Sequence, residues 1–325
     1  MPISTKDTIG ILADNLEKRR SVLPIPTTAV THWTEGLHLP RGGPTVLYTG
    51  QMYQLIPYIE ALVAEEKKLG DSWMASLSGI GRALNRGINL AGFMGHPKAE
   101  DRARYEQIPR NVARLLNQAE VAFGSLYEDD WYSGALLYDL GEDEVVADHA
   151  RKVYAMFQRY KVERVITMDP HTTNMLRSVY PRWIPNYSLK VQSYLEVLAE
   201  RGFVGDRVLS ATVAIHDSCV YARYEGVIEE PRSLLKGLGL EVKEPPHART
   251  QTWCCGGPAE SLFPDKAEAT AKRRVEELAQ VASLGVTMCP ICWVNLEKAT
   301  DGRIHFQDIS EWLCSSLMDV PLTLE

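Results

Sequence analysis

The sequence predicts an α/β fold in which one strand-and-helix arrangement is used twice, and three observations carry that prediction. Short apolar runs such as "TVLYTGQMY" (45–53) and "RVLSATVAIHDSC" (207–219) alternate with stretches of helical period. The two halves can be laid on one another. All six cysteines lie beyond residue 218, so the halves share a pattern but not their chemistry.

In chain order, residues 1–44 read as an arm. It has one amphipathic stretch from Ile9 to Arg20, followed by the proline-bearing "LPIPTTAV" and "LPRGG". Residues 45–205 form the first copy, with a helical insertion at about 56–125 whose apolar stretch "SWMASLSGIGRALNRGINLAGFMG" suits a lid or an interface. Residues 206–325 form the second copy. There "RVLSATVAIHDSC" reads as a strand ending near Cys219, "PRSLLKGLGLEVKE" as a helix running into a strand, and "RTQTWCC" as a strand end. The stretch "DKAEATAKRRVEELAQVASLG" places Ala, Val and Leu at helical spacing and predicts a helix capped at Gly285. Then "VTMCPIC" reads as a short strand, with Pro290 opening a helix.

The repeat itself rests on three alignments. Thr167-Met168-Asp169-Pro170-His171-Thr172 parallels Thr287-Met288-Cys289-Pro290-Ile291-Cys292, and "WYSGALLYDLG" (131–141) parallels "WCCGGPAESLF" (253–263). Laying "TVLYTGQMY" on "TVAIHDSCVY" sets Gln51 opposite Cys219. Two Rossmann-like units with parallel sheets flanked by helices follow, the first bearing the insertion.

Composition removes several functional classes. With 45% hydrophobic and 24% charged residues, 325 residues supply ample core for one large or two smaller domains. The formal charge of −7 and the lack of a sustained basic run argue against a nucleic-acid partner. The opening "MPISTKDTIGILADNLEKRR" has acidic residues and no apolar core, unlike a signal peptide, and no apolar run approaches the roughly 20 residues of a membrane span. A cytoplasmic chain without membrane insertion is the expectation.

The cysteine spacing carries the chemistry. Cys219 is followed after 34 residues by Cys254-Cys255, and after 33 more by Cys289-Pro-Ile-Cys292. In a parallel sheet the carboxyl ends of strands face one crevice, so three groups at strand ends would put five thiols in one volume. Adjacent cysteines bridge each other only with strain. Five thiolates exceed the tetrahedral shell of zinc, whereas iron–sulfur clusters spread thiolates over several irons. Gly256 and Gly257 allow close backbone approach and offer amide hydrogens to sulfur.

These residues resemble the CCG family of iron–sulfur proteins, which includes the cysteine-rich subunit of heterodisulfide reductase and the iron–sulfur subunits of glycolate and lactate oxidases. The resemblance runs through "HDSCVYARYEGVIEEPRSLLKGLG", "WCCGG" and "MCPICWVNL", and is only in outline in the first half. It implies a noncubane [4Fe–4S] cluster on Cys219, Cys254, Cys255, Cys289 and Cys292. It also implies an oxidoreductase subunit that transfers electrons with ferredoxin-like iron–sulfur and flavin partner subunits, with thiol or disulfide chemistry at an open cluster face. Tyr132, Ser133, Asp169 and Thr172 stand where a first set of cysteines would be, so one cluster is expected. A metal on Asp169 and His171 is the weaker expectation, a hydrogen-bonded remnant the stronger.

Beside the thiols, His216 suits cluster orientation or proton movement, and Arg223 suits a positive charge near an anionic group or a surface ion pair. Cys314, in "ISEWLCSSLM", reads as a buried apolar residue. A glutaredoxin-like dithiol at Cys289 and Cys292 fails, because only 33 residues follow and Cys219, Cys254 and Cys255 go unexplained. The alternative function is a structural subunit with zinc on the same cysteines.

Overall fold

In the computed structural model, which describes residues 5–69, 97–257, 260 and 263–318, eight short strands form two four-stranded parallel sheets. The strands are β1 (Thr45–Tyr48), β2 (Gly124–Ser125), β3 (Arg164–Thr167), β4 (Lys190–Ser193), β5 (Thr212–Ile215), β6 (Glu241–Lys243), β7 (Leu284–Thr287) and β8 (His305–Asp308). The sheet orders are β2-β1-β3-β4 and β6-β5-β7-β8, which is one topology written twice. The expected repeat is therefore present in the connectivity as well as in the sequence.

The central strands are continuous apolar runs because helices cover both faces of a parallel sheet. Val46, Leu47 and Tyr48 of β1, Val213, Ala214 and Ile215 of β5, and Val286 of β7 are all buried. The covering helices show the matching period. Helix Asp143–Arg159 buries Val146, Ala150, Val153 and Phe157, and helix Pro264–Ala279 buries Ala267, Ala271, Val275 and Leu278. In the second sheet the register pairs Ala214 with Gly285 and Thr287 with Asp308, which leaves the carboxyl ends of β5 and β7 side by side.

Two local devices recur after the fourth strand of each sheet. Ser193 and Glu196 form a capping box on helix Tyr194–Glu200, and Asp308 and Glu311 form another on helix Ile309–Ser315. After the third strand, Asp169 and Cys289 each occupy an extended N-cap position followed by proline at the first helical residue.

By internal contacts the chain divides into two compact units, residues 1–107, 123–163 and 179–189, and residues 108–122, 164–178 and 190–325. In the first, helix Thr5–Arg19 packs on helices Ala135–Asp139 and Asp143–Arg159, burying Leu16. Helices Met52–Leu69 and Ala99–Gln118 lie in the expected insertion, while the stretch 72–95 falls outside the described residues.

Two expectations need correction. The helix expected to run to Gly285 ends at Ala279, and Gly285 sits inside β7, where a Cβ would lie 2.4 Å from the Phe306 ring. Its glycine is required by strand packing, not by a helix cap. The stretch before Cys254-Cys255 is not a strand either: Arg249–Gln251 is a single tight turn and 252–255 is irregular. The nearest strand, β6, stops at Lys243, just before Pro245-Pro246, which cannot donate to a ladder.

Candidate metal centre

The site grows from the point where strand order reverses. The chain passes from β5 outward to β6, then returns to place β7 on the other side of β5, and ligands in such sheets bind in the crevice opened there. Cys219 follows β5, Cys289 and Cys292 follow β7, and the loop after β6 brings Cys254 and Cys255. All five cysteines belong to the second unit.

The thiols form an unbroken succession of hydrogen-bonded neighbours: Cys219 with Cys254, Cys254 with Cys255, Cys255 with Cys292, and Cys292 with Cys289. Cys255, Cys289 and Cys292 are buried, while Cys219 and Cys254 are partly exposed and give the group one open side. Cys314 is buried and donates to the Asn111 carbonyl at 3.5 Å, as an apolar packing residue would.

Their electrostatics alternate. Hydrogen bonds from Cys219 and Cys255, and from the Gly256 amide, pull the Cys254 thiol far below its ordinary value. Burial opposes ionisation of Cys289, yet hydrogen bonds from Cys292 and His171 bring it well below the usual thiol range. The bond to Cys254 pushes Cys219 and Cys255 up, and the bonds to Cys255 and Cys289 push Cys292 up. Five thiolates this close repel one another, so all can ionise together only around positive charge of a higher order than a single proton. A soft, multiply charged centre fits that donor set.

The backbone is cut to the same shape. Gly256 has φ of +86° and donates its amide to Cys254 Sγ at 3.3 Å, and a Cβ there would lie 2.4 Å from the Ala267 carbonyl oxygen. A Cβ on Gly257 would meet Ile291 at 2.1 Å and Cys255 Sγ at 3.4 Å. Cys289 caps helix Pro290–Ala299, whose N-terminus faces negative charge favourably.

The residues that hold the loops were only partly foreseen. Asp217 receives a bidentate pair of bonds from Arg232, both 2.8 Å, and accepts from the Arg249 amide at 2.6 Å. Thr252 Oγ1 donates to the Asp217 carbonyl at 3.0 Å, tying the loop of Cys254 to the end of β5. Buried His216 accepts at Nδ1 from Arg274 Nε, 3.0 Å away. One ring nitrogen of His216 and the sulfurs of Cys255 and Cys292 all lie within 4.8 Å of one another. Neither Arg274 nor Arg232 carried a signal in the sequence beyond a cationic residue on a buried helical stripe.

Arg223 donates to the carbonyls of Thr250 and Thr252 and makes no ion pair among the described residues. With Trp253, Cys254, Ala269, Thr270 and Arg273 it lines a pocket of about 510 Å³, where the Arg273 guanidinium lies 3.7 Å over the Trp253 ring. Asp169 is the hydrogen-bonded remnant expected of it: its carboxylate accepts from the Thr172 amide at 2.9 Å, and burial raises its acid constant to about 6. His171 does more than the sequence suggested, since it bonds Cys289.

Comparison with known proteins agrees with this picture. The family model of the CCG cysteine-rich domain matches residues 98–177 and 213–297, together just over half of the chain. The chain is 29% identical over 236 residues to a Bacillus subtilis protein named "Probable iron-sulfur-binding oxidoreductase FadF", covering 68% of this chain and 33% of that one. It is 25% identical over 232 residues to a subunit of the dihydromethanophenazine:CoB–CoM heterodisulfide reductase of Methanosarcina barkeri, covering 66% and 57%. It is 28% identical over 195 residues to a subunit of the CoM/CoB fumarate reductase of Methanothermobacter marburgensis, covering 57% and 38%. The chain thus spans between about a third and somewhat over half of these relatives' lengths. With the second match enclosing all five clustered cysteines and the first enclosing none, the chain belongs to the CCG cysteine-rich domain family and carries the domain twice.

Proposed function

We propose that Cys219, Cys254, Cys255, Cys289 and Cys292 hold one [4Fe–4S] cluster of the noncubane kind, and that the chain is an electron-transfer subunit of a heterodisulfide reductase-like complex. The observation that carries this is the succession of five neighbouring thiols at the reversal of strand order. Relatives named as iron–sulfur oxidoreductases and as subunits of heterodisulfide and fumarate reductases support it. When bound, such a cluster supplies a one-electron donor and acceptor.

The chain's own residues define the rest of the proposal. Gly256 gives its amide to the Cys254 sulfur, and the helix beginning at Pro290 tempers the charge on Cys289. Electrons arrive from ferredoxin-like iron–sulfur and flavin subunits of the same cytoplasmic complex. The pocket beside Cys254, with Arg223 and Arg273 at its walls, suits an anionic thiol or disulfide presented to the open side of the site. The organisation into an arm (1–44), a degenerate domain (45–205) and a cluster domain (206–325) belongs to the same proposal. Limited proteolysis tests it, with cleavage expected near residues 44 and 205.

Iron, acid-labile sulfide and zinc content of anaerobically purified protein, with an electron paramagnetic resonance spectrum of the same sample, tests the cluster. About four irons and four sulfides per chain are expected. One zinc and no sulfide would make the site structural and end the electron-transfer reading.

A further inference from the structure

His216 is held more rigidly than its neighbours require. It follows β5 directly, its amide donates to the Val286 carbonyl at 2.9 Å, and its side chain is buried. Arg274 approaches Nδ1 with Nε at 3.0 Å. Arg274 is itself fixed by Glu277 at 2.5 Å, by the His247 carbonyl at 2.8 Å and by Thr252 Oγ1 at 3.4 Å, while Glu277 accepts from the His247 amide at 2.8 Å.

A guanidinium keeps all its protons and only donates. Nδ1 must therefore accept, which excludes the imidazolium, and the one ring proton sits on Nε2. Buried Nε2 has no protein partner among the described residues, while a ring nitrogen of His216 lies within 4.8 Å of the sulfurs of Cys255 and Cys292. For His216 to ligate a metal through Nε2, the ring would have to lose its last proton.

We infer that His216 is a positioning residue that donates its Nε2 hydrogen to sulfur at the thiol group, with its tautomer imposed by Arg274, and that it is not a metal ligand. The inference rests on the cluster reading above. Hydrogen bonds to the sulfurs of a cluster favour its reduced, more negative form. Arg274 and Glu277 act one step further out, by setting which ring nitrogen carries the proton.

Full-length protein labelled with ¹⁵N-histidine, purified with its metal and reduced by one electron, tests this by pulsed electron–nuclear double resonance. A weak ¹⁵N coupling accompanied by an exchangeable proton is expected, both lost in His216→Gln. The glutamine amide still accepts from Arg274 and donates to sulfur, so His216→Gln keeps the wild-type midpoint potential. His216→Leu retains iron but lowers the ratio of reduced to oxidised protein about tenfold at fixed potential, about 59 mV for one electron. A strong coupling without an exchangeable proton, or couplings unchanged in His216→Gln, or a wild-type midpoint in iron-loaded His216→Leu, would each overturn the inference. If His216→Leu does not fold, the coupling difference between wild type and His216→Gln decides. Wild-type protein without iron and sulfide overturns the cluster reading and this inference with it, whereas iron without the coupling overturns this inference alone.

Discussion

The two copies of the domain have the same skeleton and different contents. Their sheets have one strand order, their fourth strands lead into capping boxes, and their Trp131 and Trp253 segments both turn on a left-handed glycine, Gly134 at φ +88° and Gly256 at φ +86°. In each, the residue before that tryptophan ties back to the loop after the first strand. Asp130 accepts from the amides of Thr49 and Gly50 at 3.0 and 3.1 Å, and Thr252 donates to Asp217. Where the second copy has Cys254 and Cys255, the first has Tyr132 and Ser133 engaged in packing. The Tyr132 hydroxyl accepts from the Leu136 amide at 2.9 Å, its carbonyl accepts from His149 at 2.6 Å, and the Ser133 carbonyl accepts from Tyr180 at 2.9 Å. The skeleton does not need the thiols, and the thiols are chemistry set upon it.

The largest expected effect would break the comparison outright. Cys255→Ser or Cys289→Ser should reduce iron content to under about a tenth of wild type, whereas Tyr132→Phe and Ser133→Ala should leave it unchanged, as elemental analysis would reveal. Next come the clasps of the first-strand loops. Asp217→Asn leaves buried Arg232 short of a partner and should destabilise the protein by about 3 kcal/mol in denaturant titration. Asp130→Asn, which weakens bonds to amides only, should cost about 1–2 kcal/mol.

Acid should separate the copies further. Burial, helped by Lys152 and Arg20, lowers the acid constant of His149 to about 4, against about 6.5 for the unfolded chain. Between those values the unfolded chain binds the extra proton. The stability this group contributes is complete above about pH 6.5 and is lost as pH falls toward 4, by up to about 3 kcal/mol. Unfolding midpoints at stepped pH should show that loss, and His149→Gln should flatten it. The smallest effect concerns the mouth of the second site. Arg273→Ala should leave iron content unchanged and raise the KM for a carboxylate-bearing disulfide such as oxidised glutathione about fivefold, on the order of one exposed charged contact; an unchanged KM would remove Arg273 from recognition.

Much of this was legible in the sequence because it is local. The apolar run before Met288, the Cys-Pro pair and the helical stripe after it specify a strand, a cap and a helix within a dozen residues. The spacing of Cys219 and Cys289 likewise follows from strands that end side by side. Cys254 and Cys255 were legible as members of the group but not as loop residues, since Pro245-Pro246 ends the strand earlier than the apolar pattern suggests. The partnerships of His171 with Cys289 and of Arg274 with His216 span 118 and 58 residues, and no periodicity encodes a contact between side chains that far apart in the chain.

The paired N-caps bear on how such a chain can change over generations. Asp169 and Cys289 occupy the same backbone position, extended and followed by proline, and Asp169 serves it with a carboxylate bonded to the Thr172 amide. A duplicated domain whose metal is no longer under selection can exchange a thiol for an acid at this corner and still terminate its helix. Relics of an abandoned site then persist as ordinary architecture, and a drifting copy stays folded long enough to acquire other work.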